Sequence, residues 1–249
     1  MSEGDAVWHT ARRLDSALAG KTLTATDFRV PAIATVDLSG SVVEGTSTYG
    51  KHLFTRLGDA WTLHTHLEME GSWDVLHIGA RWSRPAHTAR VALETADVQA
   101  VGFSLGTVEL LPRSHERDAV VHLGPDLLAA DGDEAEAVRR LAADAGTTIF
   151  DALRDQRNLA GLGTIWAAET CFSAGVHPLT LTEAVPDLTR LVRIARLKLT
   201  EAIGPRRPLM AVYGRGRASC RRCGTPVARL ETPDGRPIYF CPHCQPLRR

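Results

Sequence analysis

No stretch of this sequence approaches the roughly 20 consecutive apolar residues that a helix needs to cross a bilayer, and no charged-then-apolar leader opens it. The first absence excludes a spanning helix, and the second leads to the expectation of a cytoplasmic protein. Net charge is missing too, with 29 Lys and Arg balancing 29 Asp and Glu. Any charged surface must therefore come from distribution. Lysine is absent from residues 207–249, where nine arginines stand against only Glu231 and Asp234. Residues 126–146 carry the opposite bias, six acids against Arg139 and Arg140. The asymmetry points to an acidic partner for the C-terminal part, the alternative being a solvated basic tail. Internal repeats and low-complexity segments are lacking as well. Cysteine is scarce, and four of the five lie within 25 residues of one another. In a reducing compartment that clustering favours a metal site over disulfides. The fifth, Cys171, sits in a helical pattern and reads as a small core residue.

What is present is a 249-residue chain, 44% hydrophobic and 23% charged, ordinary for a globular protein of one large or two to three small domains. Val7, Trp8, Ala11, Leu14 and Leu18 recur at helical spacing, with Asp5 as the expected N-cap and Gly20 as the stop. Short alternating or β-rich runs follow: KTLTATDFRV, SVVEGTSTYGKHLFTRL, AWTLHTHLEM, ARVALET and AVGFSLGTVELL. They suggest a β-sandwich or barrel-like pair of sheets. From about residue 125 the patterns become helical: DEAEAVRRLAADAG, TTIFDALRDQ, LGTIWAAETCFSAG and LTEAVPDLTRLVRIARLKLTEAIG. Pro186 is expected in the first turn of the last of these, where its missing N–H costs nothing. A further boundary falls at GPRRPLM, residues 204–210. The expected fold is α+β and multidomain: residues 1–124 an N-terminal β-sandwich with an N-terminal helix, 125–206 a helical domain, 207–249 a metal-binding β-hairpin.

The tail carries Cys220 and Cys223, then Cys241 and Cys244, two CxxC knuckles separated by 17 residues. Each knuckle directs two thiolates at one ion, and the intervening PDG is a good hairpin tip. Four thiolates close a tetrahedron, so the expected ion is a structural Zn2+. His243, inside the second knuckle, reads as a neighbour. Arg215, Arg217, Arg221, Arg222, Arg229 and Arg236 on such a module suit phosphates, with protein binding the alternative.

NLAGLGTIW places Gly161 and Gly163 at the start of a helical pattern. Small residues there let a phosphate approach free backbone N–H groups at the helix's positive end. A Gly-rich turn between packed helices would need no ligand at all. With the preceding helix it forms a helix–turn–helix-like unit.

Taken together, these motifs resemble the formamidopyrimidine-DNA glycosylase/endonuclease VIII family, in particular its endonuclease VIII-like branch found in actinobacteria. The resemblance runs in order along the chain through EGD, GKHLF, HLEMEGSW, LGPDLL, DQRNLAGLGTIWAAE and CRRCG…GRPIYFCPHCQ. It implies an N-terminal β-sandwich, a helix–two-turn–helix domain and a zinc finger. It also implies a base-excision repair enzyme acting on damaged DNA: a glycosylase that removes oxidised bases, with pyrimidines expected, and a lyase that cleaves abasic sites. The partner would be double- or single-stranded DNA, the protein a monomer, its place the bacterial nucleoid. The damaged nucleotide is flipped out of the stack. The N-terminal amine attacks C1′ to form a Schiff base, the adjacent Glu protonates the opened sugar, and elimination cuts the strand.

Carried over by position, Ser2 supplies the amine and Glu3 the general acid. Lys51 matches a phosphate contact beside the lesion, though alone it would read as a surface Lys on a strand. Met69 matches the wedge that fills the gap left by the flipped base, though a core Met would look alike. Arg236 matches the zinc-finger Arg that grips phosphate, and Arg157, Gly161 and Gly163 fall in the family's DNA-binding turn. Thr164 stands where the family usually has Asn, and its hydroxyl offers fewer hydrogen bonds to a phosphate. Glu169 is family-like and expected to be structural within the helix pair. The loop that often carries arginines for the opposite base reads QAVGFSLG, with none.

The largest departure is Ser2, where the family has proline. Removal of Met1 exposes a primary amine, of ordinary pKa near about 8, which can form an imine as lysine does but lacks proline's rigidity. Two readings follow. One is an enzyme using Ser2 and Glu3; the other is a damage-binding protein that kept the grip and lost the nucleophile. A zinc-ribbon regulator, the third reading, explains none of the N-terminal or central motifs.

Overall fold

A computed structural model of the chain describes residues 2–130 and 132–247; Met1, with Asp131, Arg248 and Arg249, lies outside the described residues. The chain divides into two compact units. One is built from residues 6–121 with Ser2, the other from Glu3–Asp5 and residues 122–247.

In the first unit, helix α1 (Gly4–Leu18) lays Val7, Ala11, Leu14 and Leu18 along one buried face. Their spacing of four, three and four residues is that of a single helical stripe. The helix begins at Gly4, so Asp5 lies inside the first turn and is not the expected N-cap. Gly20, in the left-handed region at φ 77°, turns the chain away after the helix as expected. Eight strands follow: β1 (Ala25–Phe28), β2 (Val43–Tyr49), β3 (His52–Leu57), β4 (Trp61–His66), β5 (Ser72–His77), β6 (Ala89–Glu94), β7 (Val98–Phe103) and β8 (Thr107–Pro112). They form two four-stranded antiparallel sheets, ordered β1-β6-β7-β5 and β2-β3-β4-β8. Leu53, Leu57 and Leu63 of one sheet meet Trp73, Val91, Leu93 and Ala100 of the other in a core that the α1 stripe joins. The expected β-sandwich is therefore present.

Two details differ from the sequence reading. β5 was not among the expected runs: it is an edge strand, and its apolar Val75 and Leu76 are adjacent, which breaks the alternation. QAVGFSLG is mostly strand β7, with Ala100, Val101 and Phe103 fully buried, and only 104–106 turn toward β8. It is thus chiefly core strand and not an exposed loop.

The second unit holds helices α2 (Glu134–Ala143), α3 (Ile149–Arg154), α4 (Thr164–Ala174) and α5 (Leu188–Ala202), and a hairpin of β9 (Ala228–Glu231) and β10 (Pro237–Phe240). Most of these helices start on a local side-chain cap. Asp133 accepts from the Glu136 N–H at 2.9 Å, Thr148 from Asp151 at 3.3 Å and Asp187 from Arg190 at 2.8 Å. Because Asp187 is the cap of α5, Pro186 precedes the helix and does not occupy its first turn. Phe150, Leu153, Trp166, Leu191, Val192 and Leu199 form a core that Val212, Val227, Ile238 and Phe240 of the hairpin segment also enter. Among the described residues no helix is long and apolar enough to cross a membrane.

Candidate functional site

Helix α4 lacks a cap of its own. Its N-cap is Gly163, which has no side chain to accept the first N–H groups. The acceptor comes from the opposite end of the sequence. Glu3 Oε2 accepts from the Gly163 N–H at 3.0 Å and the Trp166 N–H at 3.1 Å, and Oε1 accepts from Ile165 at 2.7 Å. The carboxylate is 1% exposed, and a helix's positive end favours an anion there. The sequence reading reserved these N–H groups for a phosphate; the anion that sits on them is the protein's own.

The glycines make this entry possible. A Cβ on Gly163 would lie 2.6 Å from Glu3 Cδ, so only glycine leaves room for the carboxylate. Gly161, at φ 97°, accepts the Gly4 N–H at 2.8 Å. One residue further on, the buried Asp5 carboxylate accepts from the Trp166 indole Nε1–H at 2.9 Å. Three consecutive residues, Glu3, Gly4 and Asp5, are thereby tied to one turn. Thr164 begins α4 with its side chain buried. Ser2, half-buried, immediately precedes Glu3.

A second carboxylate leaves the flank of the same helix. Glu169 accepts from the N–H groups of Ala211 at 2.9 Å, Val212 at 2.9 Å and Tyr213 at 2.8 Å. Its partners lie outside the helix pair in which the sequence places its role: it fixes the strap that leads into the cysteine hairpin. The Tyr213 phenol is pushed up from its ordinary value by burial, then by the Glu3 carboxylate and Tyr239, while Arg236 opposes them. Tyr213 also meets Tyr239 edge-on at 5.2 Å between ring centroids. Neither tyrosine was singled out from sequence, because nothing local marks a tyrosine that lies near a carboxylate.

The arginines of this module are unequal. Arg215 donates to the Ala211 and Ser219 carbonyls, Arg222 lies over the Phe172 ring at 4.5 Å, and Arg229 pairs with Glu231 at 2.5 Å. Arg236 lies beside Asp234 at 3.7 Å on the hairpin tip, and Asp234 also pairs with Arg154 at 3.2 Å. Arg217 and Arg221 are exposed. Arg157 is 77% exposed and paired with Asp155 at 2.5 Å.

The four cysteines converge. One sulfur from each lies within 4.8 Å of the others; Cys220 and Cys244 are 4.0 Å apart, Cys223 and Cys241 3.4 Å. An ion about 2.3 Å from four tetrahedral sulfurs spaces them about 3.8 Å apart, so the cluster fits a tetrahedral thiolate-bound metal. His243 is exposed and outside the set. Gln245, unremarked in the sequence, accepts from the Cys241 N–H at 2.9 Å and donates to the Val176 carbonyl at 2.8 Å, which locks the second knuckle. Cys171 is fully buried and its thiol is pushed up to about 12 by burial, in keeping with a core role.

Lys51 and Met69 belong to the first unit. Lys51 sits in the tight turn between β2 and β3, after Gly50 at φ 57°, and not on a strand. Met69, in the turn between β4 and β5, is 52% exposed, which removes the core alternative. Beside Lys51 lies a histidine group that sequence reading missed. His52 Nδ1 and His64 Nε2 are 2.8 Å apart, and His64 Nδ1 is 3.1 Å from Glu109. His66 is held below its ordinary value by burial, with Lys51 and His64 adding and Glu68 opposing.

Comparison with known proteins gives a consistent picture. The sequence profile described as the formamidopyrimidine-DNA glycosylase N-terminal domain matches residues 1–104. The chain is 48% identical over 260 residues to a Streptomyces coelicolor protein named "Probable endonuclease 8 2", covering 98% of this chain and 94% of that one. It is 44% identical over 255 residues to a DNA-(apurinic or apyrimidinic site) lyase of Mycolicibacterium smegmatis, covering 98% and 99%. In fold it is similar to the crystal structure of Lactococcus lactis formamidopyrimidine-DNA glycosylase bound non-covalently to DNA containing an AP site. That match has a TM-score of 0.87 and 24% identity, and it covers 99% of this chain and all of the other.

Proposed function

This chain belongs to the formamidopyrimidine-DNA glycosylase/endonuclease VIII family, and from that premise we propose that it is a base-excision repair glycosylase and abasic-site lyase working through the Ser2 amine. The observation that carries the reading is the seating of Glu3. Its carboxylate is fixed on three backbone N–H groups at the start of α4, directly beside residue 2 in the chain. An acid held this firmly next to a nucleophile is pre-oriented for proton transfer.

In this reading the neutral Ser2 amine attacks C1′ of a flipped-out nucleotide, and the base leaves with the electron pair of the C1′–base bond and takes a proton from solvent. The ammonium so formed gives a proton to the Glu3 carboxylate, and Glu3 returns it to the ring oxygen as the C1′–oxygen bond breaks and C1′ and nitrogen form an imine. Loss of a C2′ proton expels the 3′ phosphate and cuts the strand. For an abasic aldehyde, the same imine forms with release of water.

Lys51, Arg236 and Arg157 supply phosphate contacts, and Met69 fills the vacated stack. Gly161, Gly163 and Thr164 build the turn that holds Glu3 toward the DNA. Cys220, Cys223, Cys241 and Cys244 hold a structural Zn2+, which keeps the hairpin and Arg236 in place. The substrates are oxidised bases, pyrimidines foremost, in double- or single-stranded DNA. The protein works as a monomer, in three segments (1–124, 125–206, 207–249), at the nucleoid of the bacterial cytoplasm.

A second reading, a binder of damaged DNA without catalysis, draws on Ser2 standing where the family has proline. Borohydride treatment of the protein with abasic-site DNA separates the two. The enzyme gives a covalent protein–DNA adduct; tight binding with no adduct leaves only the binder.

A further inference from the structure

We infer that Asp5 and Trp166 form a positioning pair for the N-terminal amine, supplying a restraint that a proline ring would otherwise provide. The inference rests on the imine reading above and adds a residue pair to it.

Proline at residue 2 would fix one backbone torsion next to the reacting nitrogen. Serine leaves that torsion free. The chain just after it is nevertheless held at three successive residues. Glu3 is bound through its carboxylate, Gly4 through its N–H to Gly161, and Asp5 through its carboxylate to the Trp166 indole. The first two ties run to backbone partners at Gly163 and Gly161 and need only the absence of a side chain there. The third is specific to this side-chain pair.

The pair is built for rigidity. The Trp166 ring is part of the helical core at 3% exposure, so it does not move without disturbing Phe150, Leu153 and their neighbours. Its N–H is a buried donor whose acceptor is Asp5, itself 7% exposed. Breaking the pair leaves a buried indole N–H or a buried carboxylate without its partner, which costs more than the bond itself contributes. Trp166 also donates its backbone N–H to Glu3. One residue of α4 therefore holds both carboxylates that flank Gly4, and a shift at Asp5 is passed to Glu3 and to the amine before it. Asp5 and Trp166 touch no reacting atom in this scheme; they act through residues 2 and 3.

The test measures single-turnover imine trapping with borohydride on abasic-site duplex DNA for wild type, Asp5→Ala, Trp166→Phe, the double variant and Asp5→Asn. All are assayed well below their melting temperatures. A misplaced nucleophile costs about 10- to 100-fold. Asp5→Ala and Trp166→Phe should each slow trapping by that factor, with affinity for uncleavable abasic-analogue DNA unchanged. The double variant should be no slower than the worse single one, and Asp5→Asn, which keeps a carbonyl acceptor, should recover most of the rate. Trapping at the wild-type rate in Asp5→Ala and Trp166→Phe overturns the inference, as does a loss that appears only in DNA affinity. A wild-type protein that gives no adduct overturns the imine reading itself, and the inference with it.

Discussion

Glu3 accepts a hydrogen bond from the backbone N–H of Ile165 at 2.7 Å, across 162 positions of sequence. With the bonds from Gly163 and Trp166 it makes the N-terminus of the chain the cap of helix α4. Replacing Glu3 with alanine should destabilise the protein by about 2–4 kcal/mol, since three backbone donors lose their acceptor. Urea unfolding would show this as a lower midpoint. An unchanged midpoint would mean that Glu3 does not cap α4 in solution.

Gly163→Ala should resemble Glu3→Ala in activity. The new Cβ would lie 2.6 Å from Glu3 Cδ, so the carboxylate must move. Strand cleavage at abasic sites should fall about 10- to 100-fold. Gly146→Ala, with open space around its Cβ, is the control and should cleave like wild type. Equal cleavage by the two variants would contradict the packing argument.

Glu169 is the structural counterpart of Glu3 on the same helix. Its removal strands the N–H groups of Ala211, Val212 and Tyr213. Glu169→Ala should cost about 2–4 kcal/mol, since several buried donors lose their acceptor. Hydrogen exchange at residues 211–213 should rise before exchange in β3 or β4, and uniform protection would argue against a local role.

Metal analysis should find one zinc per chain, removed by a strong chelator only as the hairpin unfolds. Cys223→Ser should lose the metal and weaken DNA binding. Binding that survives complete removal of the metal would show that the hairpin is not needed to hold Arg236.

Acid should destabilise the second unit through His177. Burial lowers its proton affinity from the ordinary value near 6.5, so the unfolded chain takes up the proton first. Stability is complete above about 6.5 and falls as pH drops below it. His177 Nδ1 accepts from the Leu179 N–H at 3.1 Å, a bond an Asn carbonyl can replace. His177→Asn should therefore flatten part of the acid limb of a melting-temperature profile while leaving the plateau near neutrality.

What was legible in the sequence was local. The two cysteine knuckles, the stripe Val7–Ala11–Leu14–Leu18 and the alternating strands each announce themselves within a few residues. The cap on α4 does not, because its acceptor and donors are about 160 residues apart. The glycines at 161 and 163 read as making room for a phosphate, but sequence spacing does not say which anion arrives, and it is the Glu3 carboxylate. The arginines of the hairpin segment can be counted in the sequence, yet Phe172, over whose ring Arg222 lies, belongs to helix α4. β5 does not stand out because Val75 and Leu76 are adjacent, which breaks the period of two that marks a strand.

Peptide mapping of the borohydride-reduced adduct tests the use of the N-terminal amine most directly. Abasic-site DNA is trapped on the protein, the DNA is digested to a sugar remnant, and the modified peptide is sequenced by mass. The modification should lie on the α-nitrogen of Ser2, in chains from which Met1 has been removed. A remnant on Lys51 or another lysine, or strand cleavage by chains that retain Met1, would contradict it.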